Sequence, residues 1–410
     1  MDNLALRGAR VLDFGRAVGV PFATQVLGWL GAEVILVENM SFMTNRTLPP
    51  FAQAVAGVNR SGIFNLMNSG KLSVTLDVRT AEGKKIAREL AAISDVVTEN
   101  LPYGAMEKAG LGYDDVRKIN PSIVYLSLSA FGRSGPMKDA VSFHSGVAFA
   151  SGLAAVTGYP NGHPRMAGSV LPDFVGASYG ALALLEALYH RAQTGQGQYV
   201  EVSMSEAQTA VLPEAIADYS LNRIEPRRVG NRHKTKAPHN VYPSRGELKW
   251  VAVSVETDQE WRRLCAAIKR PEWLADPRFS TKARRHKNQG ALDDLIASWT
   301  RDRDAEAVAA LLQGNSVAAF PVFDSGELLR DPHLIERGFV TSVQHAEAGI
   351  RPMGTTAWMI DNQRPPDIMP APLLGEHNEY VLQELLSIPG NDFQALAKAR
   401  TPGTFGLMGH

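Results

Sequence analysis

The sequence predicts an α/β protein in which a doubly wound, largely parallel sheet is followed by a smaller α+β domain. Its opening residues indicate a strand, a helix and a strand, since apolar runs at 9–14 and 33–38 flank a helical pattern that opens at Pro21. Strand and helix patterns then alternate as far as Ala207, which is typical of parallel sheets with crossover helices. After Ala207 this alternation ends, and a second domain begins.

The strands of the predicted sheet are short apolar runs at 9–14, 33–38, 72–76, 95–98, 123–127 and 199–202. Between them, helical periodicity predicts helices at 21–30, 81–93 and 174–190. The last of these helices is apolar or small at nearly every position. We therefore expect it to be buried on most of its surface.

A change of composition separates the two predicted domains. Residues 222–240 are polar and rich in arginine, and we interpret them as an exposed connector. The smaller α+β domain follows from strand patterns at 249–255 and 317–323 and from helical patterns at 258–269, 289–300 and 304–312. Prolines interrupt the chain before a last predicted helix near 376–386.

Charge and composition argue against several classes of protein. Lysine plus arginine equals aspartate plus glutamate, 42 each among 410 residues, so no global field favours nucleic acid or an anionic membrane. The sequence has neither a signal-peptide pattern nor the roughly 18 unbroken apolar residues of a membrane span. We therefore expect a cytoplasmic protein without a membrane or nucleic-acid partner.

The single cysteine, Cys265, lies in an apolar helical pattern and is expected in the core.

The residues from 167 to 206 carry the strongest chemical signal in the chain. Asp173 follows Pro172 at the start of the long apolar helix. An aspartate in this position commonly caps the helix by accepting hydrogen bonds from free N–H groups. The positive end of the helix also keeps a buried carboxylate ionised, as a nucleophile requires. The local sequence leaves both interpretations open.

Two other patterns indicate a function less clearly. Residues 176–180 spell the G-x-S-x-G of serine hydrolases, but Ser178 falls inside a helix, so we interpret the small residues as helix-packing positions. Glu38 ends the second strand where dinucleotide-binding enzymes place an acid, yet Gly15 and Gly19 are too far apart for G-x-G-x-x-G. The histidines are scattered, and we expect no metal.

Six segments, taken in order along the chain, match one known family. They are VLDFGRAVGVPFATQVLGWLGAEVILVE, NSGKLSVTLD, the run from ENLPYGAMEKAG to FGRSGP, LPDFVGASYGALALLEALYHRAQTGQGQYVEVSMSEA, GNRHKTKAPHNVYPSRGE and PAPLLGEH. The sequence thereby resembles the class III coenzyme A transferases of the CaiB/BaiF type, which include formyl-CoA transferase, carnitine CoA-transferase and α-methylacyl-CoA racemase. The order and spacing of the segments carry the resemblance, which spans nearly the whole chain.

The resemblance implies a large Rossmann-like domain at 1–207 and 350–410, built from both ends of the chain. It also implies a small α+β domain at 241–329, which two long linkers at 208–240 and 330–349 connect to the first. The family further implies a ring-like dimer in which each chain threads through the other. Interlocked rings are rare among proteins, and the expectation of a dimer rests on the resemblance alone.

The same resemblance makes Asp173 the catalytic nucleophile of a CoA-transferase. Such an enzyme moves CoA from an acyl-CoA donor, with succinyl-CoA as a candidate, to a carboxylic acid acceptor through an aspartyl anhydride and thioester. The CoA thioesters are substrates, and no permanently bound cofactor is expected. Lys108 stands where many family members have arginine. A lysine cannot make the forked, two-bond contact that arginine makes with a phosphate. The residues implied to bind CoA are Arg16, Val18, Lys71, Asn100 and Lys108.

Two alternatives remain open at this level. The racemase branch pairs a histidine with an aspartate at the α-carbon of the substrate, and here Phe143 occupies the matching position with His144 one residue on. The other alternative is a subunit of a heteromeric transferase, whose partner would be a related chain rather than a second copy. Phe143, His144 and Arg165 are candidates for the acyl pocket, where Arg165 would hold the second carboxylate of a succinyl donor.

Overall fold

A computed structural model describes residues 4–39, 45–168, 170–365 and 368–391. The chain divides into two compact units. The first comprises Met1–Ala154, Met166–Arg223 and Pro332–His410, and the second comprises Ala155–Arg165 and Ile224–Asp331. Each unit has its own sheet.

The first unit is built around a six-stranded parallel sheet in the order β3-β2-β1-β4-β5-β6. This is the order of doubly wound dinucleotide-binding folds, in which the winding reverses between β1 and β4. Every predicted strand overlaps an observed one, so the prediction of an α/β protein with a parallel sheet is confirmed. The strands are β1 (Arg10–Asp13), β2 (Glu33–Glu38), β3 (Leu72–Thr75), β4 (Val96–Glu99), β5 (Val124–Ser129) and β6 (Tyr199–Ser203).

Helices cover both faces of this sheet and bury two apolar clusters against it. Leu90 and Val116 belong to the cluster on one face, and Leu27 and Leu184 to the cluster on the other. The helices are α1 (Gly19–Trp29), α2 (Gly62–Met67), α3 (Ala81–Ala92), α4 (Ala105–Lys108), α5 (Tyr113–Ile119), α6 (His144–Ala150), α7 (Leu153–Val156), α8 (Leu171–Thr194), α9 (Met204–Ala210), α10 (Pro213–Asn222) and, later in the chain, α17 (Pro332–Glu336).

Helix α8 packs closely on the sheet because its small residues permit it. A Cβ added at Gly176 would lie 2.9 Å from Met204 Cγ, and one at Gly180 would lie 3.4 Å from Leu126 Cδ2. By length and composition α8 resembles a membrane span, and it packs against α1 and β5. Leu182 and Tyr189 are exposed, so the expectation that α8 is buried on most of its surface is wrong for the single chain. The close approaches at Gly176 and Gly180 confirm the predicted helix-packing interpretation of this motif. The Ser178 hydroxyl donates to a carbonyl of its own helix at 2.8 Å.

The C-terminal part of the first unit lies along the edge strand β3. His377 N–H donates to the Ser73 carbonyl at 3.0 Å, and the Asn378 side chain accepts from Thr75 N–H at 2.8 Å. The last predicted helix, near 376–386, is a short π-helix, Tyr380–Leu385. An antiparallel hairpin of β10 (Val340–His345) and β11 (Gly349–Gly354) precedes this segment.

The second unit is α+β, as the sequence predicts. Its antiparallel sheet has the order β7-β8-β9 and packs with its helices around one apolar core that contains Trp261 and Cys265. Burial raises the pKa of the Cys265 thiol to about 12, so this cysteine is a core residue. The elements are β7 (His239–Pro243), β8 (Trp250–Ser254), β9 (Ala318–Pro321), α11 (Asp258–Ala267), α12 (Glu272–Ala275), α13 (Lys282–Lys287), α14 (Gln289–Thr300), α15 (Ala305–Gln313) and α16 (Ser325–Leu328).

The limits of the two units differ from the predicted domain limits in several places. Residues 155–165 belong to the second unit rather than to the large domain. The predicted linker at 208–240 includes the whole of α10, which Pro213 opens in the position where proline favours a helix. The predicted linker at 330–349 includes α17 and β10. Part of the predicted large domain, 392–410, lies outside the described residues.

Candidate active site

The turn from β1 to α1 lies where the winding of the sheet reverses, the usual ligand-binding edge of such folds. Ala17 adopts a left-handed φ of 58°, and two asparagines hold the turn. Asn100 accepts from Arg16 N–H at 2.7 Å and donates to the Arg16 carbonyl at 2.9 Å. Asn45 accepts from Ala17 N–H at 2.7 Å. The structure thus brings Arg16 and Asn100 together, next to the buried Val18.

Lys71 lies behind this turn, and its ammonium group is engaged within the protein. It donates to Asp13 Oδ2 at 2.9 Å, to Thr24 Oγ1 at 2.8 Å and to the Pro21 carbonyl at 2.9 Å. Its side chain is 1% exposed and that of Asp13 is fully buried. Burial lowers the pKa of Lys71, and the Asp13 carboxylate raises it.

These contacts correct the role assigned to Lys71. All three ammonium hydrogens already have acceptors, and a CoA phosphate would have to displace the buried Asp13 carboxylate. Lys71 is therefore an internal ion-pair partner that supports the turn from beneath. The sequence contained a sign of this pairing, because Asp13 is an acid at the end of an apolar strand and needs a buried cation.

Asp173 lies in the first turn of α8, beside the start of α1. The residue that caps α8 is Val170, which makes no side-chain cap hydrogen bond, so the interpretation of Asp173 as the cap is wrong. Its Oδ1 lies 3.7 Å from the position of a Cβ added at Gly19, the first residue of α1. The carboxylate therefore faces the N-terminal end of a second helix.

The carboxylate of Asp173 has an unusual environment for an acid. Burial raises its pKa to about 6, and this outweighs the lowering by His144 and by the backbone N–H groups of Asp173 and Gly19. The sequence had suggested that the helix end sets the pKa of Asp173, but burial has the larger effect. An acid of this pKa is still about nine-tenths ionised at pH 7. Oδ2 is buried and has no hydrogen-bond partner among the residues that the structure describes.

His144 is the neighbour of this oxygen. Its Nδ1 lies 3.9 Å from Asp173 Oδ2, which is too long for a hydrogen bond. The His144 side chain is 35% exposed, whereas Phe143, which precedes α6, is 77% exposed. Of the predicted acyl-pocket residues, the structure thus brings His144 to Asp173 and leaves Phe143 at the surface.

Lys108 and Arg165, the two remaining predicted site residues, belong to different units. Lys108 is exposed at the end of α4, and its carbonyl accepts from Lys84 Nζ at 3.2 Å. Lys84, Lys85 and Arg88 line a shallow groove on α3. Sequence reasoning missed these three cations because the helix reads as an ordinary solvated face. Arg165 is exposed and belongs to the second unit.

Glu38 occupies the position of the ribose-binding acid in dinucleotide enzymes, but side chains of this protein already hydrogen-bond both of its carboxylate oxygens. Arg46 donates to both of its carboxylate oxygens at 2.7 Å, and Ser73 Oγ donates at 2.6 Å. The Arg46 guanidinium lies 3.7 Å from the ring centre of Phe64 and is fully buried. Among the described residues, no three histidine, cysteine, aspartate or glutamate side chains are grouped as metal ligands.

The sequence model of CoA-transferase family III matches residues 6–378 of this chain. The chain belongs to CoA-transferase family III. It is 31% identical over 402 residues to the succinyl-CoA–D-citramalate CoA-transferase of Chloroflexus aurantiacus, with 96% of this chain and 97% of the relative covered. It is 30% identical to the succinyl-CoA–L-malate CoA-transferase beta subunit of the same organism, with 97% and 98% covered.

A solved structure of a CaiB/BaiF family protein from Brucella suis superimposes with a TM-score of 0.86 at 28% identity, covering 94% of this chain and all of that one. The fold of this CoA-transferase is therefore that of its family. The prediction of an enzyme that transfers CoA between an acyl-CoA and a carboxylic acid is confirmed, and CoA thioesters are the substrates.

Proposed function

We propose that this CoA-transferase moves CoA from succinyl-CoA to a second dicarboxylic acid, with Asp173 as the covalent nucleophile. Two relatives named for succinyl-CoA support the donor, and their named acceptors, D-citramalate and L-malate, are both dicarboxylic acids. The observation that supports Asp173 most strongly is its buried carboxylate oxygen without a hydrogen-bond partner. A buried acceptor left unpaired costs free energy, and such groups in native proteins commonly have a catalytic role.

The reaction begins when the Asp173 carboxylate attacks the thioester carbonyl of succinyl-CoA. The carbon–sulfur bond breaks, CoA leaves, and a mixed anhydride of succinate and Asp173 remains. CoA then attacks the aspartyl carbonyl, which releases succinate and forms an aspartyl-CoA thioester. The acceptor carboxylate repeats these steps in reverse and departs as its CoA thioester. Each step exchanges one activated carboxyl for another, which is the advantage of covalent catalysis.

The environment of Asp173 suits this task. A pKa of about 6 leaves the carboxylate mostly ionised at pH 7 and makes it more basic than an exposed aspartate. The N-terminal end of α1, at Gly19, is positioned to stabilise negative charge on the carboxylate. Burial of Oδ2 also limits the access of water, which would hydrolyse the anhydride.

We infer that CoA binds across the edge of the sheet where the winding reverses. The turn at Arg16 and Val18, held by Asn100, would contact the part of CoA close to the thioester. Lys108, together with the α3 groove of Lys84, Lys85 and Arg88, offers cations for the CoA phosphates. Arg165 remains our candidate for the second carboxylate of the acyl group.

The covalent role of Asp173 is tested by Asp173→Asn, with Glu186→Gln as the control. Glu186 is an exposed acid on the same helix. Because an amide is a very poor nucleophile, we expect transfer to fall by several orders of magnitude while succinyl-CoA still binds. Wild-type enzyme treated with succinyl-CoA and hydroxylamine should carry a hydroxamate at Asp173, detected by peptide mass mapping. Transfer by Asp173→Asn above a few per cent, or a label elsewhere, would refute the proposal.

The pairing of His144 with Asp173 at 3.9 Å also favours a second candidate, the racemase activity. A histidine and an aspartate that both reach an α-carbon can remove and return its proton. Incubation of one enantiomer of a 2-methylacyl-CoA in heavy water separates the two activities. A racemase incorporates deuterium at the α-carbon, and a transferase does not.

We propose that the enzyme works in the cytoplasm as a homodimer whose chains interlock. Residues 208–240 and 330–349 would be the linkers that close each chain into a ring around the other chain. Support comes from apolar side chains that the single chain leaves exposed on α8 and α10: Leu182 is 65% exposed, Tyr189 69% and Leu221 80%. Interlocked chains should stay dimeric at nanomolar concentration, as native mass spectrometry can show. A stable monomer, or a requirement for a related subunit, would refute it.

A further inference from the structure

We propose that His144 is a catalytic residue of the transfer reaction, the acid that protonates the sulfur of CoA as it leaves and the base that removes this proton when CoA returns. The inference rests on the proposed function, because it assumes that Asp173 is the nucleophile. It is carried by the distance between the two side chains, by their burial and by the chemistry of the leaving group.

The distance suits a group that acts beside the carboxylate rather than on it. His144 Nδ1 is 3.9 Å from Asp173 Oδ2, about 1 Å longer than a hydrogen bond. A hydrogen bond between them would occupy the carboxylate and weaken it as a nucleophile. At the observed distance Asp173 Oδ2 keeps no hydrogen-bond partner among the described residues, and the ring nitrogen can reach an atom bonded to the carbon that the carboxylate attacks.

The surroundings of His144 are consistent with proton exchange. Helix α6, which His144 opens, packs against α8 and α9. Asp173 is the charged group of α8 within ion-pair distance of the ring, and the acid of α9, Glu206, is exposed. Because the His144 side chain is about one-third exposed, its ring is accessible to a bound thioester.

The proton balance of the reaction gives His144 two roles. When the carboxylate attacks, the carbon–sulfur bond breaks and its electron pair stays on sulfur. The imidazolium of His144 donates its proton to that sulfur, so CoA leaves as a neutral thiol and His144 becomes neutral imidazole. When the thiol attacks the aspartyl carbonyl, the same imidazole takes the proton back. The complete transfer therefore consumes no proton and needs no further reactant.

The test compares two leaving groups in the variant His144→Gln. CoA is a weakly acidic alkyl thiol that needs a proton to leave readily, whereas thiophenol is more acidic and leaves as the anion. The measurement is the rate of hydroxamate formation at Asp173 from succinyl-CoA and from the succinyl thioester of thiophenol. His333→Gln, which removes an exposed histidine on α17, is the matched control.

We expect His144→Gln to slow the reaction with succinyl-CoA by about 100-fold, the usual loss for a general acid. With the thiophenyl thioester the loss should be about fivefold or less, and this activity also shows that the variant is folded. If His144→Gln does not fold, His144→Asn serves in its place. An equal loss with both thioesters, or no loss with succinyl-CoA, overturns the role of His144 and leaves Asp173 as the nucleophile. Absence of the hydroxamate in the wild type overturns both proposals.

Discussion

The pKa of Asp173 predicts how the transfer rate depends on pH. With a pKa of about 6, the carboxylate is about nine-tenths ionised at pH 7 and about one-tenth ionised at pH 5. Protonation removes the nucleophile, so kcat/KM for the succinyl thioester of thiophenol, which needs no proton from His144, should fall about tenfold between these two pH values. An ordinary exposed aspartate, with a pKa near 4, would lose about one-tenth of its activity over the same range. The assay is kcat/KM from pH 5 to 8, which reports the free enzyme.

A substitution at Gly19 should move this profile. A Cβ there would lie 2.7 Å from Leu128 Cδ2, so Gly19→Ala must shift the start of α1, which faces the carboxylate. This shift moves the backbone N–H of residue 19 away from the carboxylate, which favours the protonated acid because the N–H stabilises the charged form. We expect the midpoint to move about one pH unit higher, the equivalent of one hydrogen bond to a charged group.

Gly290→Ala is the control for Gly19→Ala, because a Cβ at Gly290 meets nothing within 4 Å. It should leave both the rate and the midpoint of the profile unchanged. A wild-type midpoint near pH 4 would show that burial does not govern Asp173. A midpoint that stays in place in Gly19→Ala would show that the α1 terminus does not act on the carboxylate.

Two further predictions separate the lysines assigned to the site. Lys71→Ala should lower the stability of the protein by about 3–5 kcal/mol, because it leaves the buried Asp13 carboxylate without its cation; thermal unfolding measures this loss. An unchanged melting temperature would contradict it. Lys108→Ala should instead raise KM for succinyl-CoA with kcat and melting temperature unchanged, since a phosphate contact is made equally in the ground and transition states. A fall in kcat alone would place Lys108 in the chemistry.

Much of the fold follows from local patterns in the sequence. The apolar runs that predict the strands of the first unit are buried on a sheet covered by helices on both sides, which is why they lack the alternation of half-exposed strands. Helix α14 matches its predicted limits, 289–300, because Leu292, Ile296 and Trp299 recur at helical spacing and are buried on one face. Helix α10 was missed, and none of its residues is buried within the single chain.

The site was harder to predict because its contacts join distant parts of the chain. Asp173 was found by resemblance and by its position at a helix start, both of which are local features. The pairing of Lys71 with Asp13 spans 58 residues, and nothing in the neighbourhood of Lys71 indicates burial. His144 likewise meets Asp173 only through the packing of α6 on α8.

The segment that follows β10 and β11 has a consequence for the solubility of shortened chains. Strand β3 is the last strand of its sheet, and a bare edge of this kind recruits strands from other molecules. Here Ser73 N–H is accepted by His377 Nδ1 and Thr75 N–H by the Asn378 side chain. A chain that stops before Leu373 would keep the sheet and Asp173 yet expose this edge, and it would aggregate at concentrations at which the full chain stays dispersed.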